Sequence, residues 1–524
     1  MEKCRRTEII MSQQAVWIRG AILLTVAGFL SKVLGMVYRV PLQNIAGDEG
    51  LYIYQQIYPI LSIALMLSIY SLPSAISHIV AKNRLSDGSS RLPKEWQVFV
   101  LLLGAGASIF IIIFFSANQL AAWMGDSNLG ESIQVASVMF LIIPITASLR
   151  GFFQGLELTS YIAVSQIIEQ FVRVLFIIGF TVFIIMLTNQ SVYHIGPYAA
   201  WATVIGTVVA GVFLLLAYKY NLTLLNLPQR LKLSPNIMQV FLISVVIYSL
   251  NYMLHLVLQL VDVFTMVEQL QVFGLAFDEA KETKGVFDRS HSMIQLGLVL
   301  GSSLALALVP SIGKKAKQHL LAFRWTFLLA LSASVGLIAI MPFLNPLLFE
   351  TNTGTYALQW MMLLVFLLSM TVVLSIFLQE YHYRMAQFKW IIVMVAIKYI
   401  FNLILIPYYG SIGSSVAYVL AAGFLLVVFI YKWIRLTGFQ LPYVFMSKTI
   451  GVVSAMGLIV FSLLNGLSNW ANVNERIELI PFVLLLCIIG VIIVGSGMLV
   501  LKLFTKDEWK QLLGDHIVNR FERS

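Results

Sequence analysis

Residues 479–501 read LIPFVLLLCIIGVIIVGSGMLVL, 23 residues without a charge before Lys502. A helix of ~20 residues, rising about 1.5 Å per residue, covers the hydrocarbon core of a bilayer. The apolar residues are continuous rather than alternating, which excludes a barrel strand. Thirteen further segments of this kind precede it. The bounds read from the sequence are 17–40, 51–81, 96–120, 131–155, 160–187, 196–218, 236–263, 286–312, 320–347, 356–383, 388–408, 411–434 and 443–466, with 478–504 as the last. Across 524 residues the chain is 59% hydrophobic and only 11% charged, with a mean hydropathy of +0.89. Soluble domains carry about 25% charged residues. A water-soluble globule, a disordered chain and a secreted disulfide scaffold are therefore excluded. The expectation is an all-α polytopic membrane protein with 14 transmembrane helices. The first run is too long for a signal-peptide core and reads as a retained span. The two cysteines, Cys4 and Cys487, make neither a disulfide framework nor a metal cluster.

The formal net charge is +10, but the placement of the charges assigns it to topology. With the N-terminus in the cytoplasm, 26 of the 34 basic residues fall on the cytoplasmic side. Arg39, Lys281, Lys284, Arg289 and Arg476 fall on the other side, and Lys32, Arg173 and Lys398 lie within spans. Both termini are expected in the cytoplasm, where anionic lipid solvates the excess charge. No nucleic-acid partner is expected. The tail, 506–524, reads as an amphipathic segment on the cytoplasmic surface.

An internal repeat divides the chain. Leu149-Arg-Gly-Phe152-Phe-Gln154 and Leu374-Ser-Ile-Phe377-Leu-Gln379 share the pattern L-x-x-F-x-Q, and 19 residues beyond each glutamine stands a basic residue, Arg173 or Lys398. Gly50 to Leu72-Pro73-Ser74 and Gly285 to Val309-Pro310-Ser311 make a second pair. Spans 1–6 thus repeat as 7–12: a lobe over 1–220, a second over 221–436, two appended spans over 437–505, then the tail. An even number of spans gives the halves the same orientation, an arrangement in which transporters place substrate near mid-depth and rock one half against the other.

A charge at bilayer centre costs about 2.5–3.5 kcal/mol on insertion scales, so charges there face protein or water. Lys32 and Arg39 are seven residues apart on one face of span 1; Arg39 also suits an interfacial anchor. In span 7, Asn251, His255, Gln259 and Asp262 follow spacings of 4, 4 and 3 and draw one polar stripe, which is expected to face water in a hydrated cavity. Asp262 is a candidate partner for Arg289 or for a coupling cation, and His255 titrates near neutral pH in its unperturbed state. Glu169 and Arg173 are i, i+4 in span 5, which suits a structural pair. Lys398 has Asn402 one turn away. Counting these, five basic residues (Lys32, Arg39, Arg173, Arg289, Lys398) outnumber two acids, a balance that attracts an anion such as a phosphate or pyrophosphate.

Several chemistries lack their residues. No G-x-x-x-x-G-K-[ST] loop, H-E-x-x-H or D-x-D motif occurs. The longest stretch of low hydropathy, 264–285, reads as a solvated loop whose acids are Glu268, Asp278, Glu279 and Glu282, with Asp288 beyond it. No catalytic residue and no metal or other cofactor is expected.

Span 1, Phe29-Leu-Ser31-Lys32-Val-Leu34-Gly35-Met-Val-Tyr38-Arg39, is similar to the S-R-V-L-G-F-x-R-D opening of the MurJ lipid II flippases. Lys32 stands at the first arginine, Tyr38 at the second and Arg39 at the aspartate. Phe287-Asp288-Arg289, Leu296-Gly297, Gly301 and Val309-Pro310-Ser311 resemble the A-D-R…L-G…G…L-P-S stretch of span 8 in that family. The chain therefore resembles the multidrug/oligosaccharidyl-lipid/polysaccharide exporter superfamily, on its stage V sporulation protein B/YabM side. The resemblance implies a flippase in the bacterial plasma membrane for an undecaprenyl-pyrophosphate-linked cell-wall precursor. Lys32, Arg39 and Arg289 would hold the pyrophosphate, and Arg173 and Lys398 would set the field. It also implies a monomer whose partners are the lipid-linked substrate, membrane lipids and the wall-synthesis machinery, driven by membrane potential, H+ or Na+. A drug/cation antiporter would instead carry an acid-dominated cavity, a glycan-synthesis enzyme would need a carboxylate or metal constellation outside the membrane, and a scaffold would tolerate neutralisation of Lys32 and Arg289.

Overall fold

A computed structural model describes residues 30, 33–35, 38–87, 93–188, 190–222, 235–308, 316–381, 383–467, 476–505 and 508–509. Among them every regular element is helical. Twelve described helices are long and apolar enough to cross a membrane, and the protein is a multi-pass, all-α membrane protein. Span 1 lies largely outside the described residues. The helix that carries span 8 begins with a heavily charged stretch and does not count among the twelve.

The described residues form two compact units, 1–288 and 289–524. In the first, α1 (Arg39–Met66) continues through a π turn at Leu67–Ser71 into α2 (Leu72–Asp87). Spans 1 and 2 were expected to be parted by a loop over 41–50. Instead one residue parts them: Gly47 breaks α1 with φ 70° and ψ −175°, a conformation that is essentially glycine-only. The π turn closes with Leu72 N–H bonded to the Leu67 carbonyl. It stands just before Pro73, which has no N–H to continue the ordinary ladder. Then come α3 (Pro93–Trp123), α4 (Gly130–Ser137), α5 (Met139–Gly155), α6 (Thr159–Val182), α7 (Ile195–Leu222), α8 (Pro235–Phe273) and α9 (Phe277–Leu308), whose residues from Arg289 on belong to the second unit. The turn between α5 and α6 is closed by Glu157 at φ 64°.

The segment read as a solvated loop over 264–285 is corrected here. α8 runs on to Phe273 and α9 begins at Phe277. Lys281, Lys284 and Asp288 are buried, while Glu268, Asp278, Glu279 and Glu282 are exposed, so four of the five acids are solvated as expected, but on helices rather than a loop. Charge made this stretch look like a loop; pairing inside the protein allows it to be a packed helix. Gly285 makes the packing possible, because a Cβ there would lie 2.0 Å from the Asp48 carbonyl oxygen beside the Gly47 break.

The second unit contains α10 (Ala316–Phe349), α11 (Thr355–Glu380), α12 (Arg384–Tyr409), α13 (Ser411–Thr437), α14 (Tyr443–Leu467) and α15 (Leu479–Val500). Ile340, Phe343, Val453, Val460, Leu479 and Leu486 form one cluster and hold the last two helices to α10. Lipid is as apolar as these side chains, so close fit rather than expulsion of water holds such helices together. Arg476 donates to the carbonyls of Leu347 (2.5 Å) and Leu348 (2.9 Å) at the C-terminus of α10, where unpaired carbonyls favour a cation. The start of the tail docks on this unit. Trp325 stacks on Phe504 at 4.1 Å, and Arg324 donates to Glu508 at 2.5 Å and to the Leu503 carbonyl at 2.7 Å. The rest of the tail lies outside the described residues.

Candidate functional site

α1 enters the first unit as Tyr38-Arg39, and the face it buries against α6 and α7 is apolar: Leu42, Ala46, Leu51, Ile177, Ile184 and Ala202. Arg39 lies within this packing and is fully buried. Its guanidinium carbon sits 4.2 Å from the centre of the Tyr58 ring, a cation–π contact. Tyr38 and Tyr54, whose hydroxyls bond each other, stand edge to face beside it. None of the three guanidinium nitrogens makes a hydrogen bond among the described residues. A buried guanidinium left so calls for an explanation. Lys32 and the side chain of Asn251 lie outside the described residues.

The polar stripe on α8 is buried at His255, Gln259 and Asp262. Gln259 donates to Gln55 on α1 (3.3 Å), and Gln55 donates to the Asp288 carbonyl on α9 (3.4 Å). The spacing of 4 and 3 thus turns the stripe toward another polar helix of the same unit.

Glu169 is buried in α6, but its ion pair is not the expected one. Its partner is Arg150 on α5, at 2.5 Å, and its second oxygen accepts from Thr207 at 2.8 Å. Arg173 is half-buried and makes no ion pair with Glu169. Sequence reading counted Arg150 as a cytoplasmic loop charge; it is fully buried. The signal that finds it is the hairpin: folding α5 back on α6 at 156–158 brings residue 150 opposite 165 and 169. Arg150 indeed donates to Ser165 (3.2 Å) and to Ser68 of the π turn (3.1 Å).

A second network in this unit was also missed. Lys281 bonds Glu49 (2.8 Å), Asp278 (2.9 Å) and the Tyr193 hydroxyl (3.0 Å). Tyr193 donates to the buried Asp126 at 2.8 Å, which also accepts from Tyr52 at 3.2 Å. Lys284 and Asp288 pair one turn further along α9, at 2.7 Å. Burial opposes the charge on Lys281, but its bonds to Glu49, Tyr193 and Asp278 outweigh that and hold the ammonium above the usual lysine pKa. Apart from the one-turn pairs Lys281–Asp278 and Lys284–Asp288, these contacts join residues 67 to 232 positions apart, and no local spacing announces them.

In the second unit Arg289 is fully buried. It donates to the Asn345 side chain (3.1 Å) and to the Thr351 carbonyl and hydroxyl (3.3 and 2.9 Å), with its guanidinium 5.2 Å from the Phe349 ring centre. Lys398, buried on α12, donates to Asn402 (2.7 Å) as its i, i+4 spacing suggested, and to the Ser414 hydroxyl (2.8 Å). Its ammonium lies 3.9 Å from the Tyr418 ring centre, and the same ring stands 6.2 Å from that of His291. No group of three or more metal ligands occurs among the described residues.

The helices and their order match a solved membrane-protein fold. A solved structure of the lipid II flippase MurJ in an inward closed conformation matches with a TM-score of 0.69 at 13% identity, covering 92% of this chain and 98% of that one. Residues 17–316 match the family described as polysaccharide biosynthesis protein, and the chain belongs to that family. The uncharacterized membrane protein YabM of Bacillus subtilis (strain 168) is 35% identical over 416 residues, 77% of this chain and 77% of that one. The lipid II flippase MurJ of the same organism is 31% identical over 199 residues, 36% of this chain and 37% of that one. The chain is thus a member of the polysaccharide biosynthesis family, on its YabM side, with the fold of MurJ.

Proposed function

We propose that this protein is a transporter that carries an undecaprenyl-pyrophosphate-linked cell-wall precursor, lipid II or a close relative, across the bacterial plasma membrane by alternating access. The observation that carries the reading is Arg39: a fully buried guanidinium that makes no hydrogen bond among the described residues and is ringed by Tyr38, Tyr54 and Tyr58. Such a group recognises a phosphate oxygen by charge and by its fork of N–H donors. Lys32, Arg173, Arg289 and Lys398 serve as further cationic groups along the path, and His255, Gln259, Asp262, Asn251 and Glu169 as its polar lining. The lipid tail stays in the bilayer. Both termini face the cytoplasm, the repeat of spans 1–6 as 7–12 gives the halves one orientation, and the protein works as a monomer in contact with the wall-synthesis machinery.

No cofactor enters the cycle. An inside-negative potential contributes about 2.3 kcal/mol per charge per 100 mV toward outward movement of an anionic headgroup. H+ or Na+ coupling would act through Asp262 or His255. The test is a depletion strain in which each lipid-linked intermediate is assayed for accessibility from outside. Loss of the wild type should leave one pyrophosphate-linked species sealed inside; Arg39→Gln should reproduce the block while the protein stays folded and inserted. Unaltered accessibility of every such species would overturn the reading.

A further inference from the structure

We propose that the buried Arg150–Glu169 pair is a clamp on the π turn at Leu67–Ser71 and sets the bend at which α1 passes into α2. The inference concerns movement within the first unit and stands whichever substrate is carried. Four observations lead to it. First, the π turn is a local widening within one long apolar run, placed between Pro59 and Pro73, and such turns mark points where a helix is able to change its path. Second, the turn is held from the side. Ser68, buried in it, accepts from Arg150 at 3.1 Å and shares a bond of 2.8 Å with Thr146 of α5. Third, Arg150 is itself held on its far side by Glu169 and Ser165, and Glu169 by Thr207 of α7. Thus α5, α6 and α7 all converge on one hydroxyl of the turn.

The fourth observation concerns what the charge is for. The repeat places Gln154 against Gln379 and Arg173 against Lys398, an offset of 225 in each case (379−154 and 398−173). At that offset Arg150 corresponds to Ser375 and Glu169 to Met394. The second unit joins α11 to α12 with Ser375 and Gln387, bonded in both directions at 2.8 Å, and packs Met394 in its core. Packing of such a hairpin therefore needs no ion pair. Burying one is often neutral or unfavourable against apolar side chains of similar volume. The first unit has two π turns among the described residues, at Leu67–Ser71 and Phe183–Thr188, and the second has none; the pair reaches the one at Leu67–Ser71. The long, forked arginine reaches it, and serine at the same place would not.

The experiment is amide hydrogen exchange, read by mass spectrometry, on the full-length protein in lipid nanodiscs. Ser68→Ala removes the contact between clamp and turn and leaves Arg150–Glu169 in place. Thr146→Val removes the other bond to Ser68, together with the bond from Thr146 to the Ile143 carbonyl of its own helix, and leaves Arg150–Ser68 in place. Arg150→Met with Glu169→Leu removes the pair while filling its volume. Exchange over 66–72 should rise about tenfold in Ser68→Ala and in the double replacement, as loss of one hydrogen bond to a charged group implies. It should change by only about two- to threefold in Thr146→Val, whose lost bond is between neutral groups and lies toward the weak end for such bonds. Peptides from 159–182 should stay as protected in Ser68→Ala as in the wild type. Unchanged exchange over 66–72 in Ser68→Ala overturns the proposal. So does a rise spread evenly over α5, α6 and α7, which would make the pair a general brace. If the double replacement does not fold, Ser68→Ala decides alone.

Discussion

The two units solve one packing problem with different chemistry. Each contains a helical hairpin, α5–α6 or α11–α12, and each ties it internally, Arg150 with Glu169 in one and Ser375, 225 residues beyond Arg150, with Gln387 in the other. The first tie carries full charges that lost their water when the hairpin formed, and it depends on both being present. The second is neutral and asks only for satisfied hydrogen bonds. The difference teaches that the ion pair is a choice made for something other than cohesion.

The largest effect follows from breaking the charged tie on one side. Glu169→Leu leaves the Arg150 guanidinium buried without its carboxylate, and removal of one partner from a buried pair costs about 3–5 kcal/mol. We expect little folded protein after detergent extraction, read as loss of the monodisperse peak in size-exclusion chromatography. Restoring the fold by the second change, Arg150→Met in the same chain, would show that the penalty is the orphaned charge rather than lost packing. A double replacement as unstable as the single would break the comparison at its root.

The glycine at the start of α9 comes next. Gly285→Ala places a methyl group 2.0 Å from the Asp48 carbonyl oxygen, a backbone atom that does not rotate away. Overpacking of this kind costs about 1–3 kcal/mol. It should lower the thermal midpoint of the protein in detergent. A midpoint equal to the wild type's would mean that α9 is free to shift along α1.

The neutral tie should cost less. Gln387→Leu leaves the Ser375 carbonyl and hydroxyl without their amide partner, and an unsatisfied buried group costs about 1–3 kcal/mol, toward the lower end where a hydroxyl is able to turn to another acceptor. A loss in Gln387→Leu that matched the loss in Glu169→Leu would erase the contrast between the units.

Much of this was legible in the chain itself. Apolar runs of ~20 residues gave the class and most helices, because in lipid every backbone group must be satisfied within its own segment. Lys398 and Asn402, noted as one turn apart, do bond; the stripe on α8, read as facing a hydrated cavity, is buried at His255, Gln259 and Asp262, with Gln259 bonded to Gln55. The failures share a cause. Arg150 looked like the end of a span because a single charge beside an apolar run is ambiguous. Only the closed hairpin shows it opposite Glu169, and the nearer Arg173 took its place in the reading. Residues 264–285 looked like a loop because hydropathy cannot register a lysine whose partners, Glu49 and Tyr193, lie far away in sequence. Gly47 alone replaces a loop because its backbone reaches a region closed to other residues.

The smallest effect separates charge from burial. Lys281 is as cationic as Arg150 and is itself buried, but its partners are open to water: the Glu49 side chain is 34% exposed and that of Asp278 86%. An ion pair with solvated partners contributes about 0.2–1 kcal/mol, so Lys281→Met, which keeps the stem against Phe277 and Tyr193, should lower the thermal midpoint only slightly. The sign of its pH dependence is fixed by the direction of the shift. The folded state holds Lys281 above the ordinary lysine value, so its contribution is complete below the unfolded pKa of about 10.4 and declines as pH rises through the folded one. The difference in midpoint between wild type and Lys281→Met should stay level from about pH 6 to 9 and shrink only in stronger alkali. A difference that already falls between those values would mean that the three bonds do not hold the ammonium as drawn. A loss as severe as that of Glu169→Leu would show that charge alone, wherever its partners lie, sets the cost.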